Sequence, residues 1–235
     1  VLTGLPEGDV YLRTCAECTP HDVAPQNFVN KYFDNALDCN DADSVSVSLN
    51  TMTQNQDFVL EPGATLTGRI VDQVTDTGIE NVHVYVISDQ CNGTQYSQAD
   101  TDSEGYFEIP RLPAGEVYLH VCTQCNGQNY VEEWYDGNGG TRDCAKAQAI
   151  VLLPGLEKDL GSLGLEPGRE ISGIVTGSQV QGIHISVHDW DSNQWLGGWD
   201  VNADGSFQVP GLPFPESGRY RVYMNSGSTY YVPQQ

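Results

Sequence analysis

The sequence predicts an all-β chain, organised as tandem antiparallel β-sandwich modules of about a hundred residues each. Three observations predict this. Leu-Pro, Pro-Gly and Asp-Gly pairs cut the chain roughly every eight to twelve residues, the punctuation of short strands and tight turns. The stretches between them alternate apolar with polar residues, and four blocks of sequence return later in the same order. With 235 residues, 39% of them apolar, the chain can bury more than one core.

The repeat sets the organisation. GLPEGDVYLRTCAECT (Gly4–Thr19) returns as RLPAGEVYLHVCTQCN (Arg111–Asn126), and NFVNKYFD (Asn27–Asp34) as NYVEEWYD (Asn129–Asp136). LEPGATLTGRIV (Leu60–Val71) returns as LEPGREISGIV (Leu165–Val175), and SEGYFEIPRLP (Ser103–Pro113) as ADGSFQVPGLP (Ala203–Pro213). The phase of these blocks divides the chain into the second half of one repeat (1–61), a complete repeat (62–165) and a third repeat lacking its last strands (166–235). Half a sandwich cannot bury both of its sheets. The expectation is therefore either a polypeptide that continues at both ends or a neighbouring chain that pairs with Gly4–Val10 and Thr229–Val232.

Within the complete repeat, Thr65–Asp72 alternates as a strand should. Val82, Val84 and Val86 share one face, with His83, Tyr85 and Ile87 on the other. Tyr106–Ile109 leads into a Leu-Pro turn, after which Val117, Leu119 and Val121 point inward. Asn129–Tyr135, Ala147–Leu152 and Leu156–Leu163 supply the rest, making seven or eight short strands and no helix.

GRIVDQVTDTGIENVHVYV, DTDSEGYFEIPRLPAGEVYLHV and NYVEEWYDG together resemble the carboxypeptidase regulatory-like domain. That resemblance implies an Ig-like, transthyretin-like (prealbumin-like) sandwich, used as a spacer or adhesion unit on secreted enzymes and surface proteins and not catalytic itself. The third repeat departs from the pattern: its turn is lengthened to LPFPESGRY and it contains no cysteine.

Charge narrows the partners. A formal charge of −22, from 32 acidic against ten Lys and Arg residues, repels nucleic acid and anionic lipid. It favours solubility and attracts cations, calcium above all. No run of eighteen apolar residues exists to insert into a membrane.

Seven cysteines recur in a pattern, Cys15-x-x-Cys18 with Cys39 and Cys122-x-x-Cys125 with Cys144, while Cys91 has no counterpart after Val1. Zinc would require four converging ligands, and the first repeat offers three thiols plus His21. A redox pair would sit at a helix start, whereas these follow strands. Structural disulfides need only an oxidising compartment, which places the chain outside the cell or on its surface. The expected pairing joins Cys144 to Cys122 or Cys125, with Cys91 taking the other, and Cys39 to Cys15 or Cys18.

Two acidic turns occupy equivalent places: Asp100, Asp102 and Glu104 before Gly105, and Asp200, Asn202 and Asp204 before Gly205. Oxygen side chains at every second position resemble the first half of a calcium loop, and they equally suit a β-turn in which the acid caps backbone amides. Trp190, Trp195 and Trp199, beside Asp189, Asp191 and Asp200, could stack on sugar rings or pack a core or module junction. Tyr130, Trp134 and Tyr135, like Phe28, Tyr32 and Phe33, recur and are read as packing. No G-x-S-x-G elbow, H-E-x-x-H pair or phosphate-cradling glycine loop is present. The sequence thus points to a non-catalytic structural array, a stalk, filament or surface-layer spacer, whose partners are copies of itself or further modules. Its rivals are a glycan-binding module and an accessory region of a secreted hydrolase.

Overall fold

A computed structural model describes residues 2–18 and 23–225; His21 and Thr229–Val232 lie outside them. Fifteen strands and three one-turn 3-10 segments are the regular elements of the described residues. In the first stretch, β1 (Gly8–Val10) pairs antiparallel with β2 (Val45–Val47) of the same chain, and Val29, Lys31 and Val45 are the described residues buried there.

The middle sandwich holds eight strands: β3 (Ala64–Asp72), β4 (His83–Ile87), β5 (Gln95–Asp100), β6 (Tyr106–Leu112), β7 (Gly115–Cys122), β8 (Glu133–Trp134), β9 (Ile150–Leu152) and β10 (Glu157–Leu165). One sheet runs β10-β3-β6; the other runs β5-β4-β7-β8, with β9 also on β7. Period-two alternation does the work of building the core between them. Leu66 and Ile70 from β3, the three valines 82, 84 and 86, and Val117, Leu119 and Val121 from β7 all point inward and are buried. Ile87 falls on the outer face by alternation, opposite Tyr118, and is nonetheless buried there; the register shift beside it is an extra residue, Tyr96, in β5.

One pairing departs from the expected antiparallel arrangement: β10 runs parallel to β3. After β9 the chain crosses from one sheet to the other through the turn at Leu153–Leu156, where the Leu156 amide bonds the Leu153 carbonyl. It therefore reaches the edge beside β3 travelling in the same direction.

The C-terminal sandwich has its own core around Val180, Ile183, Ile185, Val187, Val201, Val209 and Leu212. Here β11 (Arg169–Ile174) pairs with β14 (Ser206–Leu212), facing a sheet of β13 (Trp195–Asp200), β12 (His184–Asp189) and β15 (Tyr220–Asn225).

The disulfide pairing differs from the expectation. Cys122 bonds Cys125 and Cys15 bonds Cys18, each within its own Cys-x-x-Cys, while Cys91 bonds Cys144 and Cys39 is an exposed free thiol. The reason is local. An extended chain would hold residues i and i+3 about 10 Å apart, but after β7 the backbone curls into a 3-10 turn at Gln124–Asn126. That brings the Cys122 and Cys125 Cα atoms to 5.5 Å, within disulfide range. The Cys91 and Cys144 Cα atoms, on two loops at one end of the sandwich, lie 5.1 Å apart. Cys39 occupies the place of Cys144 in the first stretch, where no cysteine plays the part of Cys91.

Candidate functional site

The most distinctive local structure sits where one sandwich meets the next, and it occurs twice. At the first junction the Asn27 side chain donates to the Gly63 carbonyl (2.9 Å) and accepts from the Arg111 amide (2.9 Å). The Gly63 amide donates back to the Asn27 carbonyl (2.8 Å), and Val29 N–H bonds the Glu61 carbonyl (3.0 Å). At the second junction Asn129 accepts from the Gly211 amide (2.9 Å), Gly168 donates to the Asn129 carbonyl (2.8 Å) and Val131 bonds the Glu166 carbonyl (2.9 Å).

Each clasp closes on a β-bulge in the next sandwich, at Arg111 (φ 62°) or Gly211 (φ 69°). The approach is too close for a side chain. A Cβ on Gly63 would lie 2.6 Å from Arg111 Cα, and one on Gly168 would lie 2.6 Å from Gly211 Cα. Sequence reasoning missed Asn27 and Asn129, although both stand in a recurring block and both are followed by a recurring Glu-Pro-Gly.

The equivalent charged pair differs between junctions. At the first, Lys31 is buried and its Nζ lies 2.8 Å from Glu61 Oε1. At the second, Glu133 takes the place of Lys31 and Glu166 that of Glu61. Burial, with added repulsion from Glu166 and Asp136, pushes the Glu133 carboxyl up to about 7. The folded form therefore holds this proton more tightly than the unfolded chain, and the group costs stability as pH rises through the window between 4.5 and about 7. Glu133→Lys is expected to install the ion pair of the first junction. Its gain in melting temperature over wild type should be larger at pH 8 than at pH 5; an equal gain at both would remove Glu133 as the cause.

Both junctions also form a groove from equivalent positions. The first is lined by Tyr32, Asn30 and Leu37 on one wall and by Gln95, Tyr96 and Pro113 on the other. The second has Trp134, Glu132 and Arg142 facing Trp195, Leu196 and Pro213. Trp134, read from its recurrence as packing, packs on the outer face of the middle sheet, at the end of a row. Tyr85 stacks on His120 and His120 on Trp134, the last pair with centroids 4.3 Å apart, and Glu132 bonds His120 at 2.9 Å.

The three tryptophans singled out in the sequence part company. Trp195 is 53% exposed in the second groove. Trp199 packs on the C-terminal core and reaches the Gly127 turn, 3.9 Å from where a side chain there would begin. Trp190, 39% exposed, has two guanidinium groups against its ring, Arg219 and Arg221, at 4.9 and 4.8 Å. Asp189, next to it, is buried and accepts from the amides of Ser192 and Ser217 and from both hydroxyls, which hold its carboxyl well below the usual range. It is a structural knot with no oxygen to spare for a ligand.

The acidic turns use their oxygens on the chain itself. Asp100 pairs with His83 across the sheet, at 2.5 Å, and Asp200 with His184, at 2.8 Å. Asp102 caps the Glu104 and Tyr106 amides, and Asp204 caps Ser206. Asn202 donates to the Ser206 hydroxyl, and Glu104 bonds Arg69 through its carbonyl. Among the described residues no three His, Cys, Asp or Glu side chains come together as a metal site.

Residues 65–133 match the carboxypeptidase regulatory-like domain. The regulatory-like segment thus runs from β3 to β8, ending at the Glu133 of the second junction. Solved structures similar to the chain include a streptococcal ancillary pilin (16% identity, 87% of this chain, 68% of the pilin, TM-score 0.36). A Bacillus anthracis TIE protein matches at 13% identity over 94% of this chain and 42% of its own length, less than half, with TM-score 0.34. A minor pilin of Streptococcus agalactiae matches at 12% identity, 73% and 87% coverage and TM-score 0.32. No curated protein matches the sequence.

Proposed function

We propose that the chain is a stretch of an extracellular, non-catalytic structural array, in which modules 1–61, 62–165 and 166–235 hold a fixed relation to one another and space something away from a surface. The observation that carries this is the duplicated clasp. Asn27 and Asn129 bind the next sandwich through the same backbone atoms, at distances within 0.1 Å of one another. An orientation specified twice by hydrogen bonds suits a spacer better than flexibly strung domains do.

Three disulfides fit an oxidising compartment, and no helix among the described residues is long and apolar enough to cross a membrane. The partners in this reading are further modules or other copies of the chain. Small-angle scattering on the intact chain tests it. One fixed arrangement should fit the wild-type curve, and Gly168→Ala, which wedges the second clasp open, should require an ensemble of orientations. A wild-type curve that already demands independently tumbling sandwiches would overturn the reading.

A further inference from the structure

We infer that the second junction groove, between Trp134 and Trp195, binds a neutral polysaccharide. The comparison of the two grooves carries this. Their backbones are equivalent, yet where the first has Tyr32 facing Gln95, the second has Trp134 facing Trp195. Both walls have thus acquired the largest flat side chain at the same junction.

Trp134 is held in place by its stack on His120, which Glu132 orients in turn, so the ring costs little entropy to order on binding. Trp195 stands 53% exposed, and among the described residues no aromatic ring or guanidinium stacks on it. Around the rings are polar groups of both kinds: Gln194 and Arg142, both exposed, can donate to hydroxyls, and Glu132 can accept from them. Aromatic faces with a few placed polar groups are what a ring carrying hydroxyls on its rim and C–H bonds on its faces requires.

The groove is small and open-sided, about 100 Å³, too little to enclose a whole sugar ring, so the ligand is gripped from one side and the rest of it stays in solvent. That geometry fits internal units of a polymer. Charge disfavours a polyanion: Glu132 lines the groove, in a chain of net charge −22.

The inference does not depend on the spacer reading, since a groove of this kind would serve a rigid or a flexible chain. The test is native affinity electrophoresis of the intact chain in gels containing soluble neutral polysaccharides (β-glucan, xylan, mannan), with alginate as the anionic arm. Wild type should be retarded by at least one neutral polymer and not by alginate. Trp195→Ala should weaken binding by roughly tenfold or more, Trp195→Tyr should keep most of it, and Trp190→Ala should leave it unchanged. Because Trp195 is exposed, the substitution should not unfold the sandwich, which an unchanged melting temperature would verify. Retardation by alginate alone, no retardation by any polymer, or a Trp195→Ala variant that binds like wild type would overturn the inference.

Discussion

Replacing Cys91 and Cys144 together by alanine is expected to destabilise the middle sandwich by about 4 kcal/mol, because the bond closes a loop with a sequence separation of 53. In the chain-entropy model the stabilisation grows with the logarithm of loop length, so the same change at Cys122 and Cys125, separated by three, is expected to cost only about 1.5–2 kcal/mol. For a sandwich of this size the first loss corresponds to a fall in melting temperature of roughly 15–30 °C. Thermal unfolding followed by near-ultraviolet circular dichroism compares the two double variants, with Cys39→Ser as a common background to prevent thiol exchange. The two melting together would mean that loop closure is not what the long bond contributes.

Gly78→Ala is expected to cost about 3 kcal/mol, at the upper end of what overpacking usually does. A Cβ there would sit 1.9 Å from the Glu104 carbonyl oxygen and 2.3 Å from its carbon, and both are backbone atoms. They cannot step aside. The adjoining Gly105 carbonyl accepts from Ile70 N–H at 2.8 Å, and Gly105 itself (φ 86°) approaches Ile70 and Gly78 from the other side. The urea midpoint should fall with an unchanged slope; a midpoint equal to that of wild type would show that the two turns are free to separate. The same contact explains why the acidic turn ends in glycine. Gly105 allows one backbone to cross another there, with no metal required.

The sandwich was legible in the sequence because its information is periodic. Val82, Val84 and Val86, and Val117, Leu119 and Val121, declare an inner face by alternation alone, and all six are buried. The extra residue Tyr96 in β5 escaped because a bulge is not a property of the alternation pattern. The Cys-x-x-Cys bonds escaped because they depend on whether three residues continue the strand or curl. The parallel pairing of β10 with β3 depends on a crossover that no local segment encodes.

The candidate site was harder to read because its residues lie between modules. Trp195 was singled out for its neighbours in sequence, but Trp134, which lines the same groove, lies sixty-one positions earlier. Asn129 has no unusual chemistry; its role appears only when the bulge at Gly211 is brought against it. The Trp190 and Asp189 pair looked like a sugar site by composition, yet Ser192 and Ser217 hold the Asp189 carboxyl and Arg219 and Arg221 lie against the Trp190 ring.

The parallel edge also bears on how such a chain responds to a pull. Force transmitted along the polypeptide enters the middle sandwich at the start of β3 and leaves at the end of β10. Because the two strands run the same way, Thr65 lies beside Glu157 at one end of the ladder and Asp72 beside Leu165 at the other. The load therefore acts along the ladder and slides one strand past its neighbour, straining its seven paired positions at once. Had the last strand run antiparallel, entry and exit would share one end, and the pairs would peel open singly. Mechanical resistance is written into the direction of one strand.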